Sequence, residues 1–291
     1  MSGTVVVVPA LLAAVLLYAA LALYVYLRQA QFLFQGENFR GSHGPTPGAI
    51  NLPFEDLRIH TPDAVSLHAW LVPASEGRPV VLFCHGNGGS IPDCLGTIRI
   101  LHELDLHVLI FDYRGYGTST GRPSEGGTYR DVEAVWRYLV KERGFAPGEI
   151  ILFGRSLGAA VAAHLARDVR PGALILESPF SSLPEIAAYH YWYLPVRGLV
   201  RYRYSTVDAV EAVEAPTLVI HSADDEVVPI EHGRRVFDHA RGPKRFLLIL
   251  GAHADGFLTS GTRYTQGLRR FLEWAFDEPA AADASGPAIS P

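Results

Sequence analysis

Cysteine is scarce in this sequence of 291 residues. Its two cysteines, Cys84 and Cys94, are too few for a disulfide framework and lack the His and Cys spacing of a zinc site. We expect two buried thiols, with a single bridge between them as the alternative. No metal site is predicted.

Positive charge is also limited, since the formal net charge is -5. Without a basic stripe to neutralise phosphates, a nucleic-acid partner is not expected. The sequence contains neither a Gly-Lys-Ser/Thr phosphate loop nor Gly-x-Gly-x-x-Gly. Phosphate binding is therefore only an alternative for the glycine-rich stretch at residues 86–89.

The N-terminal region contains a long apolar run. Residues 4–27 carry no charge and are long enough to cross the roughly 30 Å hydrocarbon layer as a helix. Tyr24, Tyr26 and Arg28 follow the pattern of a membrane interface. Residues 1–28 are therefore predicted to be a retained, single-pass transmembrane anchor. A cleaved signal peptide and a buried core helix are the alternatives, but the run lacks a basic leader and has no polar face.

The rest of the chain divides into three parts. Residues 29–51, rich in Gly and Pro, are predicted to be a linker, residues 52–276 the globular domain, and residues 277–291 a disordered tail. Arg28 and Arg40 follow the anchor, so the positive-inside rule places the globular domain on the cytoplasmic side.

The globular domain has the pattern of an α/β fold. Residues 54–60 and 65–72 alternate apolar and polar side chains, which predicts an antiparallel hairpin at a sheet edge. Short continuous apolar runs predict buried parallel strands. These runs are residues 80–83, 108–111, 150–153, 173–176, 217–220 and 246–249. Helical patterns occupy residues 91–104, 128–143, 157–168, 231–240 and 262–276. A doubly wound, mostly parallel sheet is predicted.

Residues 184–215 lie between two predicted strands and are rich in aromatic side chains. We expect a small helical cap over the functional site. The alternative is a set of ordinary surface helices whose aromatics pack on the sheet.

A serine lies where a strand becomes a helix. Residues 154–158, Gly-Arg-Ser-Leu-Gly, follow a buried-strand pattern and precede an Ala-rich helix. This Gly-x-Ser-x-Gly context presents a serine hydroxyl at a tight turn, beside helix amides that favour negative charge. Ser156 is the predicted nucleophile.

A serine nucleophile needs a base, and the base needs a carboxylate to orient it. Chemistry in open α/β sheets collects at the carboxyl ends of strands. His253 follows the last strand in a short loop and is the predicted base, whereas Asp224 and Asp225 both follow the strand before it. From the residues alone either aspartate could be the acid.

An oxyanion hole requires two backbone N–H donors. Leu157, just after the nucleophile, is predicted to supply one and Asn87 the other. His85 is expected to brace the Asn87 loop, and Asp112 and Arg114 to fix the next loop by hydrogen bonds.

Several motifs together resemble the membrane-anchored α/β-hydrolase domain-containing serine hydrolases, a group that includes depalmitoylating thioesterases. The motifs are His-Gly-Asn-Gly-Gly at 85–89, Asp-Tyr-Arg-Gly-Tyr-Gly at 112–117, Gly-Arg-Ser-Leu-Gly at 154–158, Glu-Ser-Pro-Phe at 177–180, and Asp225 with Val228 and Pro229. The resemblance implies the α/β-hydrolase fold, a Ser156–Asp225–His253 triad, and an ester or thioester substrate. It selects Asp225 over Asp224, but Ser222 stands where the family usually has glycine.

The predicted function is therefore a membrane-anchored serine hydrolase that cleaves carboxylic esters or thioesters, with no metal or organic cofactor. An anchored domain with an aromatic cap suits lipid-like or acylated substrates. A peptidase or amidase on the same fold and a catalytically silent membrane-tethered binding module are the alternatives.

Overall fold

An eight-stranded sheet lies at the centre of the computed structural model, which describes residues 4–35, 41 and 44–276. The strands are β1 Glu55–His60, β2 Ser66–Val72, β3 Val80–Cys84, β4 His107–Phe111, β5 Ile150–Arg155, β6 Ala173–Glu177, β7 Thr217–Ser222 and β8 Lys244–Ile249. Their order across the sheet is β1-β2-β4-β3-β5-β6-β7-β8.

The sheet is parallel from β4 to β8 and antiparallel at its β1 edge. The β1–β2 hairpin pairs Ile59 with Leu67, and β2 pairs antiparallel with β4. Every residue of β3 and β6 is buried, as expected for apolar strands covered on both faces. The predicted edge hairpin and mostly parallel sheet are confirmed.

Ten α-helices lie in the described part of the chain. They are α1 Thr4–Leu33, α2 Leu95–Glu103, α3 Glu125–Lys141, α4 Leu157–Asp168, α5 Leu183–His190, α6 Val196–Leu199, α7 Thr206–Val210, α8 Ile230–His239, α9 Gly256–Thr259 and α10 Thr262–Phe276. Helices α3, α4 and α8 cover one face of the sheet, and α2 and α10 cover the other. Helices α5 to α7 lie in the region predicted to be a cap, and we refer to this region as the cap.

Two helices differ from their predicted bounds. The helix expected from residue 91 begins as a 3-10 turn over Ile91–Cys94, with Pro92 in its first turn, and becomes α-helical only at Leu95. The helix expected from residue 128 begins at Glu125, because the Ser124 hydroxyl caps it by accepting from the Gly127 N–H at 3.1 Å.

Helix α1 extends beyond the predicted end of the anchor at residue 28. Its apolar stretch, Val8–Leu33, contains an 18-residue segment with a mean hydropathy of 2.3, and none of that segment is buried by the rest of the chain. Its C-terminal end, however, contacts the domain: Gln29 bonds to the cap, and Phe34 is buried 5.4 Å from the ring of Tyr202. The first residues of the predicted linker are thus helical and packed.

The predicted tail at residues 277–291 lies outside the described residues, as does part of the linker.

Cys84 and Cys94 are both free and buried. Burial raises the pKa of the Cys94 thiol to about 12.

Candidate active site

Ser156 lies at the sharp turn between β5 and α4. Its φ of 54° is in the left-handed region, which is strained for a residue with a side chain. Two glycines make the turn possible: a Cβ on Gly154 would overlap the carbonyl of Gly158, and one on Gly158 would overlap the carbonyl of Cys84. The Gly-x-Ser-x-Gly spacing is therefore a steric requirement of helix α4 lying against β3 and β5.

His253 reaches Ser156 from the loop after β8. Its Nε2 lies 3.1 Å from Ser156 Oγ, and its Nδ1 lies 2.8 Å from Asp225 Oδ2. A carboxylate at Nδ1 favours the tautomer with the proton on Nδ1, which leaves Nε2 free to accept from the serine hydroxyl. The three residues predicted from distant parts of the sequence lie in one hydrogen-bonded chain.

Asp225 is held by the loop that follows β7. Its Oδ1 accepts from the backbone N–H groups of Val227 at 3.0 Å and Val228 at 2.7 Å, and the residue is 8% exposed. Burial raises its pKa, but the hydrogen bond and charge of His253 outweigh burial, so the pKa of Asp225 is lowered. Asp224 points elsewhere, since its Oδ2 accepts from Gly251 N at 3.3 Å.

The two predicted oxyanion donors flank the nucleophile. Leu157 begins α4, and Asn87 lies in the loop after β3, where an added Cβ on Gly86 would lie 3.7 Å from Ser156 Cβ. Within residues 4–35, 41 and 44–276, neither Leu157 N–H nor Asn87 N–H donates a hydrogen bond. Neither amide is therefore committed to a partner inside this part of the protein, which an oxyanion hole requires of its donors.

The Asn87 loop is braced from both sides. The buried His85 donates from Nδ1 to Gly86 O at 2.7 Å, and its Nε2 lies 3.6 Å from Asp112 Oδ1. Burial lowers the pKa of His85, which keeps the ring neutral. The Asn87 side chain donates to Leu33 O at 3.1 Å, so the end of α1 holds the loop as well.

The next loop is fixed by charged hydrogen bonds, as expected. Arg114 donates from Nε to Asp131 at 2.9 Å and from Nη1 to Asp63 at 2.8 Å. Asp112 accepts from Ile91 N at 3.0 Å. These residues position the loops around the site, and none of them contacts Ser156.

A buried ionic network beneath the serine was not predicted. Arg155 donates from Nε to Glu177 Oε1 at 2.9 Å and from Nη2 to Thr97 at 2.9 Å, and the Tyr264 hydroxyl donates to Glu177 at 2.7 Å. Glu177 also accepts from the Ser156 N–H through its backbone carbonyl at 2.9 Å. Arg155, which precedes the serine in Gly-x-Ser-x-Gly, could have indicated this network, because a charged side chain at the end of a buried strand needs a partner.

Ser222, which departs from the family pattern, connects two loops of the site. Its hydroxyl donates to Gly251 O at 2.5 Å and accepts from Asp224 N at 3.1 Å. The serine thus joins the loop that carries Asp225 to the loop that carries His253.

The cap also touches the site. His190, at the end of α5, donates from Nε2 to the backbone oxygen of Val227 at 2.7 Å. In the described residues no group of three or more His, Cys, Asp or Glu side chains could hold a metal ion.

The sequence has named relatives. It is 33% identical over 255 residues to an Arabidopsis thaliana protein named as α/β-hydrolase domain-containing, an alignment that covers 80% of this chain and 82% of the relative. The chain belongs to the α/β-hydrolase family. The family model described as "Serine aminopeptidase, S33" matches residues 75–205.

Two other relatives of this α/β hydrolase have informative names. A Saccharomyces cerevisiae protein named as an uncharacterized membrane protein is 31% identical over 240 residues, covering 79% of this chain and 84% of that one. A Danio rerio protein named as a lysophosphatidylserine lipase is 34% identical over 189 residues, covering 58% of this chain and 49% of that one.

Solved structures agree on the fold. An esterase from Pyrococcus furiosus superposes with a TM-score of 0.67 at 21% identity, covering 80% of this chain and 95% of the esterase. The predicted α/β-hydrolase fold is confirmed.

Proposed function

We propose that this α/β hydrolase cleaves carboxylic esters or thioesters through an acyl-enzyme. Ser156 Oγ attacks the carbonyl carbon while His253 Nε2 takes its proton, and the amides of Asn87 and Leu157 receive the oxyanion. Collapse of the tetrahedral intermediate releases the alcohol or thiol, which takes the proton from His253. Water, activated by the same imidazole, then releases the acid and restores the serine.

The hydrogen-bonded chain from Ser156 through His253 to Asp225 carries this proposal. The distance of 3.1 Å is short enough for the serine proton to pass to His253, and the 2.8 Å contact with Asp225 holds the imidazole in place. The lowered pKa of Asp225 keeps that carboxylate charged, so that it stabilises the imidazolium formed during attack.

We further propose that α1 is a retained membrane anchor and that the substrates are lipid-like or acylated. Support comes from the 26-residue apolar stretch of α1 and from the relatives named as a membrane protein and a lysophospholipid lipase. Arg28 and Arg40 favour a cytoplasmic position for the domain.

The direct test of the mechanism replaces the nucleophile. Ser156→Ala should lower the hydrolysis of p-nitrophenyl esters by at least about 10³-fold, and its melting temperature should stay close to the wild-type value. Esters and acyl-thioesters of graded chain length then define the preferred substrate. A folded Ser156→Ala protein that hydrolyses esters at the wild-type rate would reject the proposal.

A serine peptidase or amidase is the second candidate, because the matching family model is described as a serine aminopeptidase. The chemistry differs in its leaving group, since an amine must be protonated as it departs. Comparison of matched amide and ester substrates with the same acyl group separates the two functions. We expect ester turnover to exceed amide turnover.

A further inference from the structure

An exposed aromatic cluster lies at the C-terminal end of α5 and in the turn that follows it. It consists of Tyr189, Tyr191, Trp192 and Tyr193, which are 43% to 80% exposed, and we call it the aromatic tip. Exposed apolar clusters of this kind mark sites of interaction. The tip forms no part of the hydrogen-bonded site at Ser156.

The cap runs alongside α1, and three contacts define their relative level. The Tyr18 hydroxyl donates to Tyr193 O at 2.9 Å. Further along the helix, Gln29 Oε1 accepts from Arg201 N at 2.8 Å, and the Arg201 guanidinium lies 5.1 Å from the ring centroid of Tyr26. The aromatic tip is therefore at the level of Tyr18, whereas Arg201 is at the level of residues 26–29.

These levels are far apart compared with the thickness of a membrane interface. Eleven residues separate Tyr18 from Gln29, which corresponds to about 16 Å along a helix. The headgroup layer of one leaflet is only roughly 5–8 Å thick. Arg28 is the first charged side chain of α1 and lies at the level of Arg201. When Arg28 and Arg201 lie among the headgroups, the aromatic tip lies beyond the boundary between the headgroups and the hydrocarbon.

We propose that the aromatic tip inserts into the leaflet from which α1 emerges, so that the cap docks the domain on a lipid surface. The inference rests on the proposed membrane anchoring of α1. The separation of about 16 Å exceeds the headgroup layer by about 8–11 Å, so the rings would lie in the hydrocarbon of that leaflet, next to the interface where Tyr and Trp are enriched.

Several backbone groups of the tip are hydrogen-bonded inside the protein. Tyr191 N donates to Ala187 O at 2.8 Å and Leu194 N to Tyr191 O at 2.9 Å, while Tyr193 O accepts from Tyr18. Lipid offers no partners for backbone groups, so hydrogen bonds made inside the protein lower the cost of insertion.

Charges lie where the headgroups would be. Arg197, Arg201 and Arg203 follow the tip closely in the sequence and are exposed. The side chain of Arg197 is 70% exposed even though it pairs with Glu185 at 3.3 Å. Aromatic side chains at the level of the hydrocarbon and arginines at the level of the headgroups match the layers of one leaflet.

Insertion of the tip would bring the site to the membrane. His190 lies within the same turn and donates to Val227 O, two residues from Asp225. The Ser156–His253–Asp225 site would then lie close to the leaflet, so an ester whose acyl chain is already in the bilayer would have a short path to the serine.

Trp192 is a built-in probe for the experiment. It is 80% exposed, whereas Trp70 is 2% and Trp136 8% exposed, and Trp274 packs 4.4 Å from the Arg245 guanidinium. The full chain is reconstituted in phosphatidylcholine vesicles with or without lipid brominated on its acyl chains. The difference between the wild-type and Trp192→Phe spectra isolates the emission of Trp192.

We expect brominated lipid to quench at least half of the Trp192 emission, and aqueous iodide to quench almost none of it. Iodide quenching without bromolipid quenching, in protein that floats with the vesicles, would overturn insertion of the tip and leave the anchor intact. Protein that does not float with the vesicles would overturn the anchor and the inference together. Neither measurement needs hydrolysis, so failure of the proposed enzyme activity would be seen separately.

Discussion

Two of the imidazole–carboxylate pairs beside the carboxyl ends of the strands, His253–Asp225 and His85–Asp112, differ in one respect: only His253 is hydrogen-bonded to Ser156. His253 is 2.8 Å from Asp225 and 3.1 Å from the serine hydroxyl, and its side chain is 15% exposed. His85 is 3.6 Å from Asp112, is 2% exposed, and bonds to the carbonyl of Gly86. The same residue types thus serve two purposes: an accessible ring can exchange protons with a substrate, whereas a sealed ring can only hold a loop.

Removal of the accessible imidazole of His253 should have the largest effect on activity. His253→Ala should lower kcat/KM for an ester by about 10⁴- to 10⁶-fold, because the nucleophile loses its base. Steady-state kinetics measures the loss, and thermal unfolding is the control for folding. Activity within tenfold of the wild type would assign the base to another residue.

The two adjacent aspartates offer a matched pair. Asp225→Asn should reduce kcat by about 10⁴-fold, since an amide cannot stabilise the imidazolium. Asp224→Asn removes a neighbouring carboxylate that bonds to Gly251 N, and we expect less than a tenfold effect. The kinetics of both variants on one ester decide between them, and equal losses would contradict the assignment of Asp225 as the acid.

The buried imidazole of His85 should contribute more to the stability of the fold than to catalysis. His85→Ala leaves a cavity and an unpaired Gly86 carbonyl, so the free energy of unfolding should fall by about 2–4 kcal/mol. Urea unfolding gives this value. A stable variant with the kinetic defect expected of His253→Ala would show that the two pairs have exchanged roles.

Lowering the pH should also destabilise the protein through His85, by less than the His85→Ala substitution does. Burial lowers the pKa of His85, so below about pH 6.5 the unfolded chain binds a proton that the folded chain does not. Stability is therefore complete above that pH and falls as the pH decreases, by up to about 1.4 kcal/mol per pH unit for this group. His85→Gln should show a shallower slope between pH 6.5 and 5 in urea unfolding. An unchanged slope would show that His85 does not contribute.

Local patterns were sufficient to predict the architecture. Apolar runs identified the strands, and the switch from strand to helix at Ser156 identified the turn. The helix bounds were less predictable: Gly126 and Gly127 obscured the first turn of α3, which is fixed by the hydroxyl of Ser124.

Apart from the proximity of Ser156, Asp225 and His253, contacts between distant segments were beyond prediction. Arg155, Glu177 and Tyr264 come from three elements, and no local pattern indicates that their side chains meet. The choice between Asp224 and Asp225 likewise depends on the direction in which each side chain leaves its loop. The contact of Asn87 with Leu33 joins α1 to the site, and it follows only from the packing of α1 on the domain.

The central claim is that Ser156 is a nucleophile activated by His253 and Asp225. A fluorophosphonate probe reacts with such a serine, and mass spectrometry locates the adduct. The account predicts a single stoichiometric adduct on the Ser156 peptide of the wild-type protein and almost none in His253→Ala. A folded wild-type protein that stays unlabelled, or one that is labelled at a different serine, would contradict it and favour a silent binding module or another nucleophile.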